Sequence, residues 1–107
     1  TVGNYAFTSA TSLHIITWNT KVTTIGSHSF EGCSSLTSLT LPSTVTEVKS
    51  YGFSGCSNME EITLSNIQKI GEKAFASTNI TSIIIPSTIT QIDNEAFGNN
   101  LKLSSMT

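Results

Sequence analysis

Apolar positions return along this chain at one long, regular interval. The five phenylalanines mark it: Phe7, Phe30, Phe53, Phe75 and Phe97 stand 23, 23, 22 and 22 residues apart. The second unit carries the clearest skeleton, with Phe30 followed by Cys33, Leu36, Leu39, Leu41, Val45 and Val48. The first unit repeats it with Phe7, Leu13, Ile16, Trp18, Val22 and Ile25. The third has Phe53, Cys56, Met59, Ile62, Leu64, Ile67 and Ile70, the last two shifted by one deleted residue. The fourth has Phe75, Ile80, Ile83, Ile85, Ile89 and Ile92, with one residue lost just after the phenylalanine, and the fifth keeps Phe97, Leu103 and Met106. A period of about 20 to 50 residues marks a solenoid, in which no unit buries its own apolar row and neighbours cover one another. The chain therefore reads as one domain of about five repeats, approximately residues 3–25, 26–48, 49–70, 71–92 and 93–107.

Each unit contains an L-x-x-L-x-L segment whose last three positions alternate apolar and polar, the pattern of a half-buried strand. Such strands are expected to stack in parallel, roughly 4.8 Å apart. Pro42 and Pro86 come directly after the last apolar residue. A missing N–H and a fixed φ at that point turn the chain out of the sheet. A V-x-x-V or I-x-x-I step then brings the chain back over the core, and a short segment of Gly, Ser and Asn leads to the next phenylalanine. That segment has room for a turn or for one or two helical turns.

Composition narrows the chemistry. Only 11% of the residues are charged, arginine is absent, and Ser plus Thr make up about a third of the chain, far above the usual share. Polarity here comes from hydroxyls. A formal charge of -2 and a pI near 5.5 give no electrostatic reason to expect nucleic acid as a partner. No apolar run approaches the roughly 18 to 20 residues that cross a bilayer, so no direct membrane insertion is expected from this segment. His14 and His28 occupy different repeat positions, lack Asp or Cys at ligand spacing, and read as ordinary surface groups. No metal or cofactor is expected. No serine lies in a G-x-S-x-G elbow, and acids and histidines form no recurring cluster, so the chain does not read as an enzyme. Cys33 and Cys56 share one offset in adjacent units, where their Cα atoms could come near enough for a disulfide; parallel side chains in an apolar stack are more often reduced and buried, which is the state expected here. Asn79-Ile80-Thr81 matches the glycosylation acceptor pattern, which has meaning only in a secreted eukaryotic chain.

The run Phe30, Gly32, Cys33, Leu36, Leu39, Leu41, Pro42, Val45 and Val48 resembles the BspA-like class of leucine-rich repeats, through the G-C before the strand and the Pro after it. The resemblance extends over essentially the whole chain. Cys gives way to Ala10, Thr78 and Asn100 in other units, and Pro to Asn19 and Ser65; these positions are structural in the class. What the resemblance implies is a leucine-rich-repeat right-handed solenoid, β-rich, with a parallel sheet on its concave face and short turns or helical turns elsewhere. It also implies a cell-surface or secreted module that binds protein, either a host or extracellular-matrix protein or another surface protein. Members of the class are largely surface proteins of host-associated bacteria and mucosal protozoan parasites, several of them linked to adhesion.

On such a solenoid the outward strand positions form a grid where partners bind. These are His14, Ile15 and Thr17 in the first unit; Thr37, Ser38 and Thr40 in the second; Glu60, Glu61 and Thr63 in the third; and Thr81, Ser82 and Ile84 in the fourth. Ser104, Ser105 and Thr107 continue it in the fifth. The plainer alternative is that Ser and Thr stand there because small polar and β-branched residues suit an exposed strand, in which case the segment is a structural spacer without a ligand. The chain starts a few residues before its first phenylalanine and stops inside the fifth strand, so a piece of a longer array is expected. An open parallel edge near Thr107 offers a place for edge-to-edge self-association.

Overall fold

In the computed structural model, which describes residues 2–19, 21–98 and 105–106, each unit becomes one rung of a stack. Three sides of each rung are tied to the next rung by different means. No helix occurs among the described residues; the segments before and after each phenylalanine are turns.

The first side is the L-x-x-L-x-L segment. It forms β2 (Ser38–Thr40), β4 (Glu61–Thr63), β6 (Ser82–Ile83) and β8 (Ser105–Met106). β2 pairs with β4 in parallel, with Ser38 opposite Glu61, Leu39 opposite Ile62 and Thr40 opposite Thr63. β6 pairs with β8. β4 and β6 run side by side but belong to separate sheets. The alternation predicts a strand in every unit, and the first unit departs from this: residues 13–18 join no ladder. Trp18 stands where Leu41 and Leu64 stand in later rungs and lies edge-on to Phe30 at 5.8 Å. An indole there takes more room than a leucine.

The second side is a sheet where the sequence pattern suggests merely a return path. β1 (Thr24–Ile25), β3 (Glu47–Val48), β5 (Lys69–Ile70) and β7 (Gln91–Ile92) make a four-stranded parallel sheet in the order β1-β3-β5-β7, extended by a bridge from Val2 to Ile25. Ile25, Val48 and Ile70 stack in register and are buried. Two-residue strands alternate too briefly to announce themselves, so V-x-x-V looks like a helical or turn spacing in one dimension.

The third side is the phenylalanine turn. Its amides alternate between two partners: one set closes turns within the rung, as Cys33 N–H does on the Phe30 carbonyl at 3.3 Å, and the other set reaches the next rung. Thus Phe7 N–H donates to Ser29 O at 2.7 Å, Phe30 N–H to Gly52 O at 2.8 Å, Phe53 N–H to Ala74 O at 2.7 Å and Phe75 N–H to Ala96 O at 2.8 Å. Residues two before and two after the phenylalanine make the same forward bonds from a left-handed backbone, with φ of 57° at His28 and 61° at Tyr51, and 75° at Gly32 and Gly55. A side chain at φ above zero is disfavoured, which accounts for the Gly of the G-C pair. The Cys has a part as well. Cys33 Sγ donates to Phe7 O at 3.3 Å and Cys56 Sγ to Phe30 O at 3.2 Å, each to the carbonyl of the preceding rung.

Inside these three sides the phenylalanine rings stack nearly parallel at 5.1, 5.0, 5.5 and 5.5 Å between successive centroids, close to the ladder spacing. Phe30, Phe53 and Phe75 are fully enclosed with Leu36, Leu41, Met59, Ile67 and Ile80, while Phe7, on the end rung, is 47% exposed. Hydroxyls and amides on the turns bind the rungs further. Thr44 Oγ1 donates to Val22 O at 2.6 Å, Thr88 Oγ1 to Ile67 O at 2.8 Å, Thr90 Oγ1 to Gln68 O at 3.0 Å and Asn66 Nδ2 to Ser43 O at 2.9 Å, each one rung back.

Truncating Phe53 to Ala removes a ring packed between two others and is expected to cost about 3–5 kcal/mol in urea unfolding; parental stability would contradict an interior phenylalanine stack. Ser29 is buried and its hydroxyl has no hydrogen-bond partner among the described residues, at the offset that Ala74 and Ala96 occupy in later rungs. Replacing Ser29 with Ala is therefore expected to stabilise the fold by about 1 kcal/mol, read as a higher urea midpoint at unchanged slope.

Candidate functional site

The alternation of the first side directs Leu39, Ile62 and Ile83 inward and leaves their neighbours in solvent. All of His14, Ile15, Thr17, Thr37, Ser38, Thr40, Glu60, Glu61, Thr63, Thr81, Ser82 and Ile84 are exposed. The β2–β4 register brings Ser38 beside Glu61 and Thr40 beside Thr63, and β4 adjoins β6 with Ser82. The rungs thus assemble three rows across one face. Ser104 and Thr107 lie outside the described residues, as does the side chain of Ser105.

Several hydroxyls of this face differ from a set of threonines on the turns. Those of Thr17, Thr37, Ser38, Thr40, Thr63 and Ser82 make no hydrogen bond among the described residues, whereas Thr44, Thr46, Thr88 and Thr90 each hold a carbonyl of the preceding rung. One set builds the stack and the other is presented to solvent. Two large aliphatics stand among the latter, Ile15 at 71% and Ile84 at 75% exposure.

Where β4 and β6 part, an open groove of about 500 Å³ lies between them, lined by Glu60, Glu61, Ile62, Thr63 and Leu64 on one side and Thr81, Ser82, Ile83 and Ile84 on the other. The parting results from chain length. Phe53 and Phe75 are held in register by their ring stack, but five residues separate Phe75 from Ile80 where six separate Phe53 from Met59. The fourth rung therefore enters this side one residue early, with Asn79 N–H on Met59 O at 2.8 Å. A second, apolar groove of about 340 Å³ sits at the first rung, among Phe7, Leu13, Ile16, Trp18 and Val22.

Other chemistry-bearing groups stand elsewhere. His28 is not a simple surface group: its ring is sandwiched between Tyr5 and Tyr51 at 4.7 Å on each side, and its Nδ1 lies 2.9 Å from Glu31 Oε1. Lys73 Nζ caps that column 5.8 Å from the Tyr51 ring centre and pairs with Glu95 at 3.4 Å. The common offset of Tyr5, His28 and Tyr51, two before each phenylalanine, was available in the sequence as a signal. His14 stands apart, its Nδ1 3.2 Å from Ser12 O. Among the described residues no three His, Cys, Asp or Glu side chains gather closely enough to hold a metal. Cys33 and Cys56 are free and buried. Burial pushes the Cys33 thiol up; burial, reinforced by the neighbouring Cys33, pushes Cys56 up to about 12.

A family model for a BspA type leucine rich repeat region matches residues 1–107 in six copies. Several solved bacterial structures are similar. A leucine-rich repeat protein from Bacteroides ovatus superposes with a TM-score of 0.92 at 30% identity, over 99% of this chain and 28% of that one. A T. pallidum leucine-rich repeat protein does so at 0.94 and 28% identity, over 98% of this chain and 50% of that one. A leucine-rich cell surface protein from Faecalibacterium prausnitzii does so at 0.73 and 29% identity, over 99% of this chain and 36% of that one. This chain spans half or less of each of those proteins. Comparison with curated proteins found no match.

The cysteines have a measurable consequence. A thiol whose folded pKa lies above its unfolded value, about 8.5, supports folding fully below the unfolded pKa, and that support is lost as pH rises toward the folded value. Urea stability is expected to fall between about pH 9 and 12, and to fall less in a Cys56→Ala variant. Equal declines in both proteins would remove Cys56 as the cause.

Proposed function

The chain belongs to the BspA-type leucine-rich repeat proteins, and from that premise we propose that it is a protein-binding segment of a cell-surface or secreted adhesion protein, working through the strand face expected to be concave. Proteins of this repeat class are generally interaction or scaffold modules rather than enzymes. The observation that carries the reading is the division of labour among hydroxyls. Those of Thr44, Thr46, Thr88 and Thr90 hold carbonyls of the preceding rung, while those of Thr37, Ser38, Thr40 and Thr63 make no hydrogen bond among the described residues and are left for solvent or a partner. A face assembled from short exposed side chains on a rigid stack loses little side-chain entropy on binding. The Faecalibacterium prausnitzii protein is named as a cell surface protein, which supports the same location here.

Binding to immobilised extracellular-matrix proteins, monitored by surface plasmon resonance, tests the reading. We expect binding at micromolar concentration or below, weakened at least tenfold by Thr40→Arg, which adds bulk at the centre of the face without touching the core. A chain inert toward all of them would favour the spacer role, and a Thr40→Arg variant that binds like its parent would move the site off this face.

A further inference from the structure

We propose that the groove between β4 and β6 receives a lysine or arginine side chain from an extended segment of the protein partner; this rests on the binding-face reading. The groove joins two chemistries that such a side chain also joins. Its lining includes the buried Ile62 and Ile83 and the exposed Ile84, together with the exposed carboxylates Glu60 and Glu61. A cation on a methylene stem buries the stem along apolar surface and keeps its charge at the edge.

Charge placement on this face favours this occupant, while Glu72 and Asp93, likewise without an ion pair among the described residues, line a separate groove off the face. Glu31 lies against His28, Glu95 against Lys73, and Glu47 is opposite Lys69 in the β3–β5 register. Glu60 and Glu61 have no ion-pair partner among the described residues. Lys21, Lys49, Lys69 and Lys73 all stand off the L-x-x-L-x-L side, on the return sheet and turns. Among the described residues the face thus presents two negative charges without an ion-pair partner and no lysine to oppose a basic ligand; Lys102 lies outside the described residues. A phosphate-bearing or acidic partner meets repulsion there, and complementary charge chiefly sets specificity and rate of encounter. Ile84, 75% exposed at the groove wall, gives the stem its contact.

The probe is a fluorescein-labelled peptide of about twelve residues alternating Lys and Val, with a Glu–Val counterpart, read by anisotropy at about 0.05 and 0.5 M salt, where screening differs strongly. The Lys peptide is expected to bind the full chain and to weaken with salt. Its affinity is expected to drop about tenfold in a Glu60→Gln/Glu61→Gln variant of unchanged Tm and several-fold in Ile84→Ser, and to hold in a Glu47→Gln/Glu72→Gln control. Equal binding of both peptides, or parental affinity in Glu60→Gln/Glu61→Gln, would overturn the proposal. The matrix-protein assay separates the two readings. Loss with Thr40→Arg but not with Glu60→Gln/Glu61→Gln leaves the face standing and removes the basic occupant, whereas indifference to Thr40→Arg removes the face itself.

Discussion

The rest of the structure depends on the spacing between rungs. Backbone amides of each phenylalanine turn find their acceptors one rung onward, from Phe7 to Ser29, Phe30 to Gly52 and Phe53 to Ala74. Buried amides must be paired, and this pairing fixes the separation of rungs near that of a parallel ladder. Stacked phenylalanine rings at 5.0 to 5.5 Å fit that separation, so hydrogen bonding and apolar burial ask for the same geometry. The left-handed residues flanking each phenylalanine are the conformational cost. They turn alternate amides forward, and glycine at positions 32 and 55 lowers the strain.

A stack built this way separates construction from presentation. Inter-rung backbone bonding runs through the turns, the return sheet and the short β2–β4 and β6–β8 ladders, with Thr44, Thr46, Thr88 and Thr90 adding hydroxyl bonds. The L-x-x-L-x-L side contributes its inward residues to the core and is otherwise free to vary. A hydroxyl-rich composition therefore has two physical meanings in one chain, and bonding rather than exposure tells them apart, since Thr88 and Thr90 are exposed like the strand hydroxyls.

The groove shows how a small change in length becomes a feature of the surface. Losing a residue after Phe75 leaves the ring stack in register, because the phenylalanine ladder precedes the deletion, and shifts the strand residues beyond it. The third-rung and fourth-rung strands then lie adjacent without closing a ladder, although each pairs with its other neighbour. Thr78 replaces the bridging cysteine in this same rung, and its Oγ1 donates within the rung to Phe75 O at 3.2 Å.

Periodicity alone determined the stack, its phenylalanine core, the inward and outward alternation of Leu39, Ile62 and Ile83, and the set of side chains that face solvent beside them. All of these come from one-dimensional spacing, since a repeat must place equivalent residues in equivalent surroundings. Tertiary structure decided the features that depend on which neighbour a group meets. Among them are the return sheet through Ile25, Val48 and Ile70, the absence of a strand beside Trp18, the enclosure of His28 between Tyr5 and Tyr51, and the thiol bonds of Cys33 and Cys56. Strands of two residues carry no readable alternation, and a contact across about 23 residues has no local signature. The groove beside Glu60 and Glu61 belongs to that second group: the deletion is visible in the sequence, but the opening it leaves exists only between two rungs.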